Sequence, residues 1–340
     1  MKVALQSIIR VSLALLLIVL MTGGLVVVRR AAIRVADFPA NAGQQDVTIE
    51  IPAGASGDVI AKSLFAAKVV ASAESFYRLA VQDPRAATIA PGLHQIQRHI
   101  PATVALTQLM DPKRIPNLVI VKEGAWRSEV ITALIARGFI RGDIDKALKV
   151  VKVPKGFSAE EGIYFPAQYS FPSGTTALSA LQTMIDRFTV EAKATGLSTP
   201  SGKFTSAQML TIASIAQAEG DLADFPKITR VIFNRLKIGM PLQMDTTVHY
   251  IKKSRGRIFL SLNSTKIASP YNTYLHYGLP PTPIGNPGRA AIIAALTPAA
   301  GEWTFFITVK PGDTRFTSSA SEFNNWKNEY EKNAKAGLFK

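Results

Sequence analysis

Thr211-Ile-Ala-Ser-Ile-Ala-Gln-Ala-Glu-Gly220 reads as the end of a helix that stops on a glutamate and a glycine. Thr205 or Ser206 can cap its start, and Gly220 is placed as its C-terminal stop. Ile212, Ile215 and Ala216 lie seven, four and three residues before Glu219, spacings that share one helix face. On that pattern Glu219 belongs to the buried stripe. Burial and the negative end of the helix dipole both disfavour a charged carboxyl, which suits a proton donor working near neutrality. An exposed glutamate at a frayed helix end fits the same pattern.

Downstream, Asp224 and Pro226 open another helix. Ile228, Val231, Ile232 and Leu236 face inward, Arg230, Asn234 and Lys237 face outward, and Gly239 ends it. Leu242-Gln-Met-Asp-Thr-Thr-Val248 is too polar for a buried strand. Read as extended chain, it points Gln243 and Asp245 the same way. Ser269-Pro-Tyr-Asn-Thr-Tyr274 sets two tyrosines around an asparagine. Amides that bond hydroxyl groups and ring faces that meet C–H surfaces make a carbohydrate site; a surface loop packed by its tyrosines is the plainer alternative. Prolines 280, 281, 283 and 287, with Gly278, Gly285 and Gly288, stiffen the loop that follows.

The remainder of the 340 residues sets bounds. A hydrophobic content of 47% and a charged content of 19% describe a folded chain with room for two or three domains. No cysteine is present, which excludes disulfides and thiolate zinc sites. The formal net charge of +15 favours an anionic partner. No basic stripe with interleaved aromatics or nucleic-acid-binding signature appears, so no nucleic acid is expected. The histidines at 94, 99, 249 and 276 are scattered, and no Gly-rich nucleotide turn is found; neither a metal nor a cofactor is expected.

Residues 11–28, VSLALLLIVLMTGGLVVV, carry no charge and reach the lower end of a membrane-spanning length. A retained single anchor is the expectation, with residues 1–10 as a short cytoplasmic segment and 29–46 as a linker. From 47 to 116 the periodicity runs strand, helix, helix, strand, helix, a small module without a titratable cluster. A strand at 117–121 follows, then helices after Ser128 and Asp143, an irregular aromatic loop over 161–169 and a helix over 175–188.

Five segments together resemble the YceG-like (MltG) family of membrane-anchored endolytic murein transglycosylases. They are Ala213-Ser-Ile-x-x-x-Glu219, Val231-Ile-Phe-Asn-Arg-Leu236, Ile238-Gly-Met-Pro-Leu-Gln-Met-Asp245, Ser269-Pro-Tyr-Asn-Thr-Tyr274, and Gly278-Leu-Pro-Pro-Thr-Pro-Ile284 through Asn286-Pro-Gly288. Ile51-Pro-Ala-Gly-Ala-Ser56 and Glu161-Gly-Ile-Tyr-Phe-Pro166 resemble it more loosely.

The resemblance implies an α+β fold: a single N-terminal transmembrane helix, a LysM-like small α/β module at 47–116, and a mixed α+β YceG-like catalytic domain at 117–340 with its core at 205–335. It implies cleavage of the MurNAc–GlcNAc β-1,4 bond within peptidoglycan strands, with Glu219 as the acid/base. Gln243, Asp245, Tyr271, Asn272 and Tyr274 are the implied substrate-binding residues. The implied partners are peptidoglycan glycan strands, the plasma membrane, and peptidoglycan synthases of the elongation or division machinery, with the catalytic domain on the extracytoplasmic side. The chain departs from the family pattern at Gln217, where a second glutamate is common, at Ala167-Gln168, where Asp-Thr is common, and at Thr314 and Phe323, where histidines are common. Two alternatives stay open: a hydrolytic muramidase with Asp245 as second carboxylate, and a non-catalytic peptidoglycan-binding scaffold.

Overall fold

The computed structural model describes residues 21–22, 35–52, 54–158, 160–172, 174–200, 202–255 and 261–339. The expected anchor at 11–28 falls, except for Met21 and Thr22, outside the described residues, as do the segment before it and the start of the linker. Among the described residues no helix is long and apolar enough to cross a membrane. The chain divides into two compact units, Met1–Pro116 and Asn117–Lys340.

In the first unit β1 (Asp46–Ile51) pairs antiparallel with β2 (Gly92–Gln97), from Asp46 opposite Gln97 to Ile51 opposite Gly92. Between them run α1 (Gly57–Ala66) and α2 (Ala73–Gln82), capped by the Ser56 and Ser72 hydroxyls, and α3 (Ala102–Leu109) follows. Alternate strand residues Ile49, Ile51 and Ile96 meet Ile60, Leu64 and Phe76 from the helices in one apolar core.

The second unit begins with β3 (Leu118–Val121), which pairs antiparallel with β4 (Ala167–Ser170). Helices α4 (Arg127–Ile135) and α5 (Arg141–Val150) lie between these strands, and α6 (Ala177–Thr195) follows. Then come α7 (Ser206–Glu219), α8 (Phe225–Lys237), α9 (Asp245–Lys252) and α10 (Arg289–Leu296). A hairpin of β5 (Phe305–Lys310) and β6 (Asp313–Thr317) and a last helix, α11 (Ala320–Lys335), complete it. The hairpin and α11 have no counterpart in the sequence reading. The fold is mixed α+β.

Helix α7 is the central element. Thr205 accepts from the Gln208 amide at 3.2 Å while the Gln208 side chain accepts from the Thr205 amide at 2.8 Å, a reciprocal cap. Every residue from Met209 to Ala216 is buried, so α7 has no solvent face over that span and is not the one-sided stripe its spacing suggested. The Ser214 hydroxyl inside it accepts from the Ile284 amide at 3.0 Å, and the Gln217 side chain accepts from the Gly288 amide at 2.9 Å. The stiff loop between these two amides is thus pinned across the helix end.

Gly220 does end α7, but in extended backbone rather than a left-handed turn. Glycine is required there by proximity: a Cβ would lie 2.3 Å from Cδ1 of the fully buried Ile228 on α8. Gly220→Ala is therefore expected to cost about 1–3 kcal/mol in denaturant unfolding. Ile228→Val deletes the offending methyl, so the double variant should recover most of the loss. Simple additivity of the two costs would show that the contact does not matter.

Candidate active site

Glu219 is the last residue of α7, just past the buried span, and it is half-buried. The first turn of α9 comes to meet it. Thr246 donates twice to the same carboxyl oxygen, from its hydroxyl at 2.6 Å and from its backbone amide at 3.2 Å, both to Oε1. Oε2 has no hydrogen bond among the described residues. Burial pushes Glu219 up to about 7; the Thr246 hydroxyl opposes the shift, the charge of Asp245 adds to it, and the Thr246 amide and Arg235 oppose it. At neutral pH a carboxyl in that state is about half protonated, so it can both give up and take back a proton.

Asp245 opens α9, and Tyr274 donates its hydroxyl to Asp245 Oδ1. The expected extended segment around Asp245 is instead the start of a helix. Gln243, just before it, sits in the left-handed region at φ +48° and is exposed. Its amide donates to the Thr273 carbonyl at 3.0 Å, and the Met244 amide donates to the Thr273 hydroxyl at 2.9 Å. These two bonds turn the chain into α9, so Gln243 and Asp245 do not sit on alternate positions of one strand.

Within the Tyr-Asn-Thr-Tyr loop, Asn272 has a different role from the one expected of it. Asn272 is fully buried: its amide nitrogen donates to the Thr265 carbonyl at 3.0 Å and the Ile267 carbonyl at 2.8 Å, and its oxygen accepts from the Tyr274 amide at 3.0 Å. With every polar atom of the amide committed inward, Asn272 shapes the loop and is not available to a substrate. Tyr274 reaches the Glu219–Asp245 pair. Tyr271 is half-buried, shares a 2.6 Å hydroxyl contact with Thr282, and packs its ring against Tyr250 at 5.1 Å.

Arg235, on α8, was not anticipated. Its Nε donates to the Thr304 carbonyl at 2.6 Å and its Nη1 to the Leu242 carbonyl, which leaves a buried cation whose charge acts on Glu219. Ile228, Val231, Ile232 and Arg235 follow one helical stripe, a signal that could have placed it inside. Asn234 also departs from the outward position expected of it. It is buried and donates to the Gly301 and Trp303 carbonyls at 3.1 and 2.8 Å.

Glu161 is a more deeply buried carboxyl than Glu219, only 3% exposed. It accepts from the Arg127 amide at 2.7 Å, the Tyr250 hydroxyl at 3.1 Å and the Asn286 amide nitrogen at 3.5 Å. Burial pushes it up to about 7 against the pull of the Arg127 amide, the Tyr250 hydroxyl and the charges of Lys253 and Arg127. A glutamate set directly before Gly-Ile-Tyr-Phe was the available signal. Thr246 carried none.

The family comparison now has a site to attach to. The profile of the YceG-like family matches residues 49–329. The chain belongs to the YceG-like family. It is 28% identical over 307 residues to a protein of Bacillus subtilis named endolytic murein transglycosylase, covering 84% of each chain. A Streptococcus pneumoniae serotype 2 protein of the same name is 32% identical over 152 residues, 43% of this chain and 28% of that one. The 2.6 Å crystal structure of a putative yceG-like protein from Listeria monocytogenes matches with a TM-score of 0.54 at 25% identity, covering 83% of this chain and 99% of that one.

The departures from the YceG-like pattern have visible places. Gln168 and Ala167 lie in β4 opposite Ile120 and Val121. Thr314 pairs its hydroxyl with that of Thr308 across the hairpin at 3.0 Å, and Phe323 stacks on Phe305 at 5.2 Å. A cavity of about 530 Å³, whose lining includes Gln217, Gly220, Asp221 and Arg289, opens beside the end of α7.

An acid whose folded-state pKa exceeds its unfolded value holds its proton more tightly when folded. Glu219 therefore opposes folding increasingly as pH rises from about 4.5 to about 7. Glu219→Gln should match the wild type in thermal unfolding at pH 4.5 and exceed its Tm by roughly 5–10 °C at pH 8. Equal Tm at both pH values would mean the carboxyl is not held in a desolvating site.

Proposed function

We propose that this protein is a membrane-anchored endolytic lytic transglycosylase that cleaves the MurNAc–GlcNAc β-1,4 bond within peptidoglycan strands. The observation that carries the reading is the state of Glu219: one carboxyl oxygen is fixed by two donors from Thr246, the other is unbonded within the described protein, and the group is pushed up to about 7. Membership of the YceG-like family and the relatives named endolytic murein transglycosylase supply the substrate class.

The chemistry needs one such group. Protonated Glu219 donates its proton to the glycosidic oxygen as the bond to C1 breaks, and the leaving sugar departs as an alcohol. The carboxylate then formed has the Thr246 hydroxyl and amide already in place to stabilise it, and Arg235 nearby as a counter-charge. It next accepts the proton of the muramoyl C6 hydroxyl as that oxygen bonds to C1. The product is a 1,6-anhydroMurNAc end, and Glu219 is again protonated. Substrate supplies the nucleophile, so no activated water is required. Asp245, tethered by Tyr274, contributes negative charge where positive charge develops at the anomeric carbon, and it keeps the Glu219 proton in place between turnovers.

Tyr271, Tyr274 and Gln243 are the residues left to line the glycan path, since each is exposed or half-buried near this cluster. The uncharged run at 11–28 supports a single-pass anchor that holds the catalytic domain outside the cytoplasm, near nascent strands and the synthases that make them. The strand–helix–helix–strand order of the first unit supports a LysM-like module. Cutting within strands at that location would terminate their elongation.

Product analysis tests the reaction. Full-length protein in detergent, incubated with purified glycan strands, should yield 1,6-anhydroMurNAc ends by mass spectrometry. Reducing MurNAc ends would instead support a hydrolase using Asp245, and binding without cleavage would support a scaffold. Glu219→Gln should lower the rate by at least about 10²-fold while the fold persists. Because the donor must be protonated, kcat should fall as pH rises through about 7. A rate that climbs through that range would contradict Glu219 as the acid.

A further inference from the structure

Glu161 takes no part in that chemistry and, at 3% exposed, cannot touch a glycan. Yet it is bonded to α9, the helix whose Thr246 donates to Glu219. Thr246 and Tyr250 are four residues apart on α9 and so share a face, about 6 Å apart along the axis. The first donates to Glu219 and the second to Glu161.

At eight residues α9 is too short to hold its own position, so its tertiary bonds place it. Thr273 fixes the entry through the Gln243 and Met244 amides. Glu161 fixes the Tyr250 hydroxyl. The Tyr250 ring sits between Trp126 at 6.0 Å and Tyr271 at 5.1 Å, with the Lys253 ammonium 3.6 Å from its centre. Glu161 in turn is anchored to the frame: the Arg127 amide begins α4, and Asn286 also donates to the Ala125 carbonyl at 2.7 Å and accepts from the Tyr164 amide at 2.8 Å. Of the groups bonded to Glu161, Tyr250 is the only one on a helix that also contacts Glu219.

We propose that Glu161 is a positioning residue: through Tyr250 it fixes α9 against the end of α7 and so keeps the Thr246 hydroxyl and amide on the Glu219 carboxyl. The consequence for catalysis rests on the reading of Glu219 as the acid; the mechanical link does not.

Both parts can be read in the full-length protein. Tyr250→Phe removes only the hydroxyl, and Glu161→Ala removes the acceptor. Each should lower kcat about tenfold with KM within about twofold, and each should speed hydrogen exchange of the Thr246 amide about tenfold. Glu161→Gln keeps an oxygen for the Arg127 amide and a hydrogen-bonding group for Tyr250, and should restore both readouts to within about threefold of wild type. Loss of kcat in Glu161→Gln equal to that in Glu161→Ala would overturn the proposal, because it would make the charge rather than the tether the working feature. Unchanged Thr246 exchange in Tyr250→Phe would overturn it directly. Should Glu161→Ala fail to fold, the Tyr250→Phe pair of measurements decides alone. A wild-type protein that cleaves nothing would fail the reading of Glu219 while the exchange result still judges the link.

Discussion

The site depends on a glutamate carboxyl brought out of water at the end of a buried helix and met there by a threonine from another helix. Neither half works alone. Desolvation without the Thr246 donors would keep Glu219 protonated too firmly to cycle, and the donors without desolvation would leave an ordinary surface carboxylate. The balance puts the proton near the point where donation and recapture are both accessible. Much of the second unit can be understood as what keeps these two groups together. Gly220 lets α8 approach, Ser214 and Gln217 pin the proline-rich loop over α7, and Thr273 and Glu161 hold the two ends of α9.

The parts that the sequence made legible are those governed by local rules. Alternation and helical spacing located β1, β2, β3 and most helices, and the cap and stop around α7 fall at Thr205 and Gly220 as expected. The place of Glu219 at the C-terminal end of that helix was likewise visible. What failed was local pattern overruled by tertiary bonds. Residues 242–248 look extended because they are polar, but the Thr273 carbonyl and hydroxyl capture two successive amides and force the chain into α9. Asn272 looks like a sugar-binding amide because its type is right, yet three internal bonds exhaust it. Asn234 reads as solvated because it is polar, and carbonyls from the 301–304 segment make its burial, and that of Arg235 beside it, affordable.

Glu219 and Glu161, the two glutamates pushed up to about 7, differ in what surrounds them, and that difference separates their roles. Glu219 keeps one oxygen without a partner in the described protein at a half-buried position, so a substrate oxygen can replace solvent there. Glu161 has both oxygens occupied and almost no exposure, so its bonds serve the frame. Similar burial-driven shifts in both groups therefore mark different functions, and geometry decides between them. The proposed chemistry fits this division, because closing an anhydro ring with the substrate's own hydroxyl asks for one acid that substrate can reach.

The central claim is that Glu219 keeps a large protonated fraction at neutral pH, where an ordinary glutamate has almost none. Its most direct test is the titration of that one carboxyl, followed by carbon NMR in glutamate-labelled protein and assigned by comparison with Glu219→Gln. The account predicts a midpoint at about 7. A midpoint near 4.5, the ordinary value for a glutamate, would contradict it.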